Sequence, residues 1–475
     1  ATPPAVGVIV HGATSLLPAS CCGSTCLWHA ARTASDFVGV APVARWGELV
    51  NKDGQIVLQD GAFITAPELF DASFFKISKS EASVMDMQQR LVLEQMYGTM
   101  HSSGKGRMSL RGEVVGVYVG IWADAGWHRV LDHSVHAQSA YRIAASGCSM
   151  AAGRVSYSFG LRGPSFSVDT ACTAGLICCH IACGAVRSGE CALALAAGVN
   201  INYFPDMFAV MNGFKHDQGR CFSFDHRASG FVASEGCVAA TIDRSECETS
   251  VLSTSARIMC SVARCAGASA SLTAPNGDSQ TMLLQTAWHI SGQHPRLLEA
   301  HGSGTPLGDP IEVQATLRAL AESEQPICIG ALKAGMGHML PASGMTSLVK
   351  SVFMLRHQKT CANAQLRVLN PNCAMIRGSR DKLVFPTTVT GTWQAHGSCG
   401  VTNIAYSGQL VHFVLQRGLL DDSRCASVFA GFRRRQFSMG YGHVQMAPRP
   451  QQVDGVDDES RLTSIPAAHQ DSNTI

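Results

Sequence analysis

The chain reads as an α/β protein. Short apolar, strand-like runs alternate with helical stretches along most of its length, the pattern that layers helices on a sheet. One such run, Pro164 to Val168, gives way at once to a small-residue helix start. Glycine supplies 46 of the 475 residues, as a fold with many tight strand–helix turns requires.

Val6 to Val10 reads as the opening strand, and residues 11–60 as irregular, with turn signals at Pro18, Gly23 and Asp53-Gly54. Glu81 to Met96 has helical spacing, with Met85, Leu91, Leu93 and Met96 among polar residues. Val114 to Val119 reads as a strand ending at Gly120, and Ser165 to Val168 as another. Ala174 to Val186 is apolar but interrupted by His180, which makes it a buried helix; no apolar run reaches the roughly 20 residues of a membrane span. Cys191 to Val199, Val238 to Ile242, Val251 to Val262 and Ile327 to Ile329 read as further strands. Leu410 to Leu415 is the last, cut off by Arg417-Gly418. Beyond it come Arg433-Arg434-Arg435, Pro448, Pro450 and a polar, acidic end, the composition of a linker or disordered tail.

Apolar residues make up 46% of the chain and charged ones 15%, so a large core can be buried. A net charge of +2 gives no reason to expect a nucleic-acid partner. Nineteen cysteines is an odd number, and most sit in apolar or small-residue settings, which suits a reducing, intracellular compartment. Cys21, Cys22 and Cys26 fit no familiar zinc spacing, and no metal site is expected. The chain begins at Ala1, so a targeting segment is expected to be missing, which leaves the compartment open between cytoplasm and plastid.

Among those cysteines Cys172 stands apart. It lies in Val168-Asp169-Thr170-Ala171-Cys172-Thr173-Ala174-Gly175, where strand passes into helix. The positive end of a helix and its free N–H groups lower a thiol pKa, so a low-pKa nucleophile is expected there. Two histidines follow in glycine-rich surroundings, His301 in Glu299-Ala300-His301-Gly302-Ser303-Gly304-Thr305 and His338 in Gly335-Met336-Gly337-His338. One cysteine and two widely spaced histidines suggest a nucleophile with its acid/base and oxyanion partners.

Taken in order, the motifs resemble a β-ketoacyl synthase, specifically the ketosynthase domain of type I polyketide synthases. The resemblance is carried by Phe70-Asp71-Ala72-Ser73-Phe74-Phe75, Met85-Asp86-Met87-Gln88-Gln89-Arg90-Leu91, Gly153-Arg154-Val155, Asp169-Thr170-Ala171-Cys172, Gly219-Arg220-Cys221, Ser234-Glu235-Gly236, Leu272-Thr273-Ala274-Pro275-Asn276-Gly277, His301-Gly302-Ser303-Gly304-Thr305-Pro306-Leu307-Gly308-Asp309-Pro310-Ile311-Glu312, and Lys333 with Gly337-His338. It covers roughly residues 5–416.

The resemblance implies the thiolase-like fold, a five-layered αβαβα sandwich of two similar α/β halves, and a homodimer. Residues 1–250 would form the half with the nucleophile, 251–416 the half with the two histidines, and 417–475 a linker or disordered tail. It further implies a decarboxylating Claisen condensation in polyketide or fatty acid biosynthesis. Cys172 would take the acyl chain, and its N–H with one from a late glycine loop would bind the oxyanion. His301 and His338 would each offer an Nε2–H to the enolate. Lys333 would hold charge near His338, Asp309 and Glu312 would fix the loop of His301, and Thr305 would support that loop or touch the pantetheine arm. No cofactor would be bound: phosphopantetheine arrives on an acyl carrier protein bearing acyl and malonyl-type thioesters.

Some positions depart from the family pattern. Leu340 stands where an acid usually partners the lysine. The late glycine loop fits two registers, Tyr406-Ser407-Gly408, preferred because His412 and Phe413 to Leu415 then fall into place, or Thr402-Asn403. These departures keep a second reading open, a non-elongating domain that binds carrier protein and passes or holds acyl chains. A cysteine hydrolase is the weaker third, since it needs one histidine partner rather than two.

Overall fold

A computed structural model describes residues 7–46, 59–123, 126–132, 134, 136–205, 218–245, 256–320, 325–376, 382–389 and 397–418. Residues 1–440 form one compact unit; the tail expected from 417 onward lies, past Gly418, outside the described residues.

One core order of elements occurs twice, with a short helix and a short strand added in the second run. The first run is β1 (Gly7–Leu17), α1 (Met87–Ser102), β2 (Val115–Ile121), α2 (Met150–Phe159), β3 (Ser165–Val168), α3 (Ala174–Ser188), β4 (Leu193–Asn200) and β5 (Gly236–Ser245). The second is β6 (Ala256–Cys265), α4 (Gly277–Ser291), β7 (Leu297–Glu299), α5 (Gly308–Ala319), β8 (Ile327–Gly330), then the short α6 (Lys333–Met336), α7 (Ser343–His357), β9 (Leu383–Val384), β10 (Ser398–Ile404) and β11 (Gln409–Arg417). In the first, β2 lies parallel between β3 and β4, β5 runs antiparallel to β4, and β1 antiparallel to β5. In the second, β7 lies parallel between β8 and β10, β11 antiparallel to β10, and β6 antiparallel to β11. A two-residue antiparallel pairing, Ile9 with Arg257 and Val10 with Ala256, joins the two sheets edge to edge.

Helices make the other layers. α1 packs on β1, β4 and β5, α4 packs on β6 and β11, and α3 and α7 pack on each other between the two sheets. The result is five layers, αβαβα. The middle layer is the most buried, as its residues show. α3 contributes Leu176, Cys178, Cys179 and Cys183, and every residue of α7 from Ser343 to Leu355 is buried. Small side chains let two helices enter one core between two sheets. The apolar stretch Ala171–Ser188 therefore belongs to a protein interior.

Local differences from the sequence reading have local causes. β1 continues through Leu17 and Ser24–Arg32 is a helix, where an irregular stretch is expected; β5 pairs with β1 as far as Leu16, which carries the strand on. The helix expected over Glu81 to Met96 is two helices, Lys79–Val84 and α1, broken at Met85 and Asp86. Asp86 caps α1 by accepting the Gln88 N–H at 2.7 Å, and a cap needs extended backbone. Asn276 likewise caps α4, accepting the Ser279 N–H. Of the strand expected over Val251 to Val262, residues 251–255 lie outside the described residues.

Candidate active site

The duplication places the chemistry. Cys172 lies between β3 and α3, and His338 between β8 and α7, at matching points of the two halves. Each connection holds a non-glycine residue in left-handed backbone, Ala171 (φ 50°) just before Cys172 and Leu340 (φ 47°) two after His338. Such strain persists only where its surroundings enforce it. At Ala171 the enforcer is Asp169, whose carboxylate accepts the Ala171 and Ala123 N–H groups at 3.0 Å each.

Close packing brings the two connections together. A Cβ added to Gly175, one turn into the helix after Cys172, would lie 2.5 Å from the Pro341 carbonyl oxygen; one added to Gly198 on β4 would lie 2.6 Å from the same atom. The small-residue helix start is thus the surface on which the His338 loop rests. Leu340 consequently packs against Cys172 and Ala405.

Cys172 is 6% exposed, and its environment reverses the expected acidity. Burial pushes the thiol up to about 11, although Lys333 and the N–H groups of Tyr406 and Cys172 pull the other way. Desolvation of a thiolate outweighs the helix start here, so the resting nucleophile is a thiol, a correction to the low-pKa thiolate expected from the sequence.

The hairpin between β10 and β11 brings up the third wall. Its turn runs Ala405 to Gly408, closed by the Gly408 N–H donating to the Ala405 carbonyl at 3.0 Å. The Tyr406 N–H faces the Cys172 sulfur. Ser407 instead turns its hydroxyl to Gln409 Oε1 at 2.6 Å, and Gly408 (φ 90°) supplies the left-handed turn. Thr402 and His412 face each other across the hairpin, Thr402 Oγ1 to His412 Nδ1 at 2.8 Å.

His301 sits beyond β7 on a loop held by two buried carboxylates. Glu312 accepts the His301 and Gly302 N–H groups at 2.7 and 2.9 Å, and Asp309 accepts those of Phe224 and Gly304 at 2.7 and 3.0 Å. Burial pushes Glu312 up to about 7 and Asp309 up to about 6, against those same hydrogen bonds. Thr305, partly exposed, pairs its hydroxyl with Ser303 at 3.1 Å. Lys333 is 4% exposed and donates to the His301 carbonyl at 2.6 Å. Burial lowers its pKa, while the charges of Glu312 and Glu299 raise it. Lys333 anchors the His301 loop through that carbonyl.

The two imidazoles meet edge to face with centroids 5.4 Å apart. Burial and Lys333 hold both well below the usual histidine range, so both are neutral. The partners of their Nδ1 atoms differ. The Leu340 N–H donates to His338 Nδ1 at 3.2 Å, which leaves the proton on Nε2; Ser343 Oγ lies 2.9 Å from the same Nδ1. His301 Nδ1 lies 2.6 Å from Asn403 Oδ1, an acceptor. His338 Nδ1 thus receives a backbone donor, while His301 Nδ1 faces an amide oxygen. Ser343 is not among the residues the sequence singles out for chemistry, and Asn403 enters only through the alternative register of the glycine loop. A lone Asn in a strand and a Ser at a helix start carry no local signal of it.

A buried sulfur with an N–H pair directed at it and two neutral imidazoles, on a duplicated βα core, is an arrangement able to carry an acyl group on cysteine. Comparison with known proteins narrows this. Residues 8–247 match the model of the β-ketoacyl synthase N-terminal domain, and 255–367 that of the C-terminal domain. The chain belongs to the β-ketoacyl synthase family. It is 34% identical over 431 residues, 86% of this chain, to the phenolphthiocerol synthesis polyketide synthase type I Pks15/1 of Mycobacterium bovis. It is 34% identical over 383 residues, 77% of the chain, to the highly reducing polyketide synthase PKS6 of Gibberella zeae. The matches span 20% and 15% of those two proteins. Among solved structures it resembles the oxazolomycin ketosynthase domain OzmH KS7 of Streptomyces albus (TM-score 0.80, 26% identity, 89% of this chain and 76% of that one). It also resembles the ketosynthase from module 6 of the bacillaene synthase of Bacillus subtilis (TM-score 0.77, 25% identity, 86% and 72%).

Proposed function

We propose that this chain is the ketosynthase unit of a polyketide synthase and performs a decarboxylating Claisen condensation. The observation that carries the reading is the convergence of the Cys172 helix start, the His301 loop and the His338 loop around one buried sulfur. In the first half-reaction the Cys172 sulfur attacks an acyl thioester, the new S–C bond replaces the bond to the pantetheine sulfur, and the proton of Cys172 leaves with the pantetheine thiol. The N–H groups of Cys172 and Tyr406 receive the oxyanion, so Tyr406, Ser407 and Gly408 act as the gating turn. In the second, a malonyl thioester loses CO2, and the carbanion attacks the acyl carbon as the S–C bond to Cys172 breaks. A 3-ketoacyl thioester, CO2 and the Cys172 thiolate result, and a proton from solvent restores the thiol. His338 Nε2–H stabilises the enolate oxygen. Lys333, Asp309 and Glu312 hold the loop of His301.

On this reading phosphopantetheine enters on an acyl carrier protein and no cofactor resides in the chain. Leu307, 68% exposed two residues past Thr305, offers the pantetheine arm an apolar contact. A homodimer is supported by β3, which ends the sheet order among the described residues, with Phe166 53% exposed on it and Tyr157 89% exposed on α2. A free edge strand bearing apolar side chains invites a second copy.

The test is a two-stage assay with wild type and Cys172→Ala. Wild type is expected to gain an acyl mass on Cys172, then release CO2 and form a 3-ketoacyl product from malonyl carrier protein; Cys172→Ala gains no acyl mass. Acyl loading without CO2 or product would replace this reading with the transfer-only one that Leu340 suggests.

A further inference from the structure

We propose that Asn403 is a positioning residue that fixes His301 in the Nδ1–H tautomer, so that His301 presents a bare Nε2 and His338 an Nε2–H to the same cavity. The argument starts from the amide, whose orientation two contacts decide. Asn403 Nδ2 donates to the Cys172 carbonyl at 3.1 Å, and the Ile404 N–H donates to Asn403 Oδ1 at 3.1 Å. Turning the amide over would set oxygen against oxygen at Cys172 and N–H against N–H at Ile404. Oδ1 therefore faces His301 Nδ1, and at 2.6 Å that nitrogen must donate.

A competing donor is present. The Ile404 N–H also lies 3.3 Å from His301 Nδ1 and would favour the opposite tautomer. The shorter contact from the amide oxygen wins. The pocket is shaped for that amide: a Cβ on Gly344 would lie 2.6 Å from Asn403 Nδ2, and Asn403 is 1% exposed. One side chain thus ties the nucleophile's own carbonyl to the ring it works beside. His338 lacks any such partner carbonyl on Nδ1 and receives the Leu340 N–H instead.

The consequence, which rests on the function proposed above, is a division of labour. His338 donates to the oxygen that gains charge. His301 accepts a proton or hydrogen bond from a reacting group and is competent only while neutral. If both rings donated, protonating His301 would leave its donor in place; if His301 accepts, protonation removes it.

Two measurements decide this. Ring 15N spectra of histidine-labelled wild type, with His301 assigned by its absence from His301→Gln, are expected to show protonated Nδ1 and bare Nε2. In Asn403→Ala, Ile404 remains as donor and the pattern should reverse. A wild-type ring protonated on Nε2, or on both nitrogens, would overturn the proposal, as would an unchanged pattern in Asn403→Ala. The second is the pH profile of condensation in Asn403→Asp. A carboxylate against Nδ1 favours imidazolium, so the acid limb is expected to move up by about 1 pH unit or more. An unmoved limb, or one moved down, overturns it. The wild-type spectrum needs no turnover and no variant of Asn403, so failure of the proposed reaction and failure of the tautomer assignment are read separately.

Discussion

Replacing Gly175 by Ala sets two physical effects against each other. Gly175 is the second residue of α3, and by helix propensity alone Ala should stabilise it by at most about 1 kcal/mol. Tertiary packing says the reverse. The new methyl would lie 2.5 Å from the Pro341 oxygen, 3.0 Å from Met345 Cγ and 3.1 Å from Gly198 Cα, where 3.4 Å begins ordinary contact. Met345 can turn aside, but the Pro341 oxygen is backbone, so the loop from Leu340 to Ala342 must retreat by about 0.9 Å, the difference between 3.4 and 2.5 Å. Overpacking of this kind costs roughly 1–3 kcal/mol, which exceeds the propensity gain over most of that range. With an unfolding entropy of about 0.9 kcal/mol/K for a unit of this size, a net loss of about 1 kcal/mol lowers Tm by only about 1 °C. The kinetic effect is the larger one. That loop carries Leu340, whose N–H orients His338, and a misplacement near 1 Å can cost about 10²-fold in rate. Condensation should therefore fall far more than acyl loading, which in the proposed mechanism uses Cys172 and Tyr406 but not His338. Thermal melting with separate loading and condensation assays checks this. A Gly175→Ala protein that melts higher than wild type and condenses at its rate would refute the packing argument.

Two further expectations concern acid stability and assembly. His412 is buried against Trp288 and Thr402, and burial pulls its pKa down to about 3. Unfolded, it binds a proton near pH 6.5, so its contribution is complete above about 6.5 and is lost as pH falls towards 3, on the order of a few kcal/mol. His412→Gln should flatten the rise of denaturant stability between pH 4 and 6.5 (both approximate limits set by these pKa values); an unchanged slope would place the acid sensitivity elsewhere. Phe166→Glu puts a charge on the free edge of β3, and sedimentation should then show monomer where wild type is dimeric; an unaffected dimer would move the interface away from that edge.

Much of this protein is written locally. The turn from β3 into α3 is legible because Asp169 and the run of small residues act on their own neighbours. The loop after β7 is legible because its partners sit in one continuous motif: Asp309 lies 5 residues from Gly304, and Glu312 lies 10 and 11 residues from the Gly302 and His301 N–H groups it binds. The last hairpin was open to two registers, and the choice of Ala405 to Gly408 as its turn came from pairing between β10 and β11.

What the chain could not state alone is what depends on distant groups. Position 172 promises an acidic thiol by its helix start, yet the surroundings of Leu340 and Ala405 remove the water a thiolate needs, and desolvation prevails. The tautomer of His301 is set by Asn403, 102 residues away, and that amide is oriented by a carbonyl 231 residues from it. Local sequence determines backbone turns and caps, because those hydrogen bonds close over a few residues. Protonation and proton placement follow from burial and from contacts between remote segments, so only the folded core decides them.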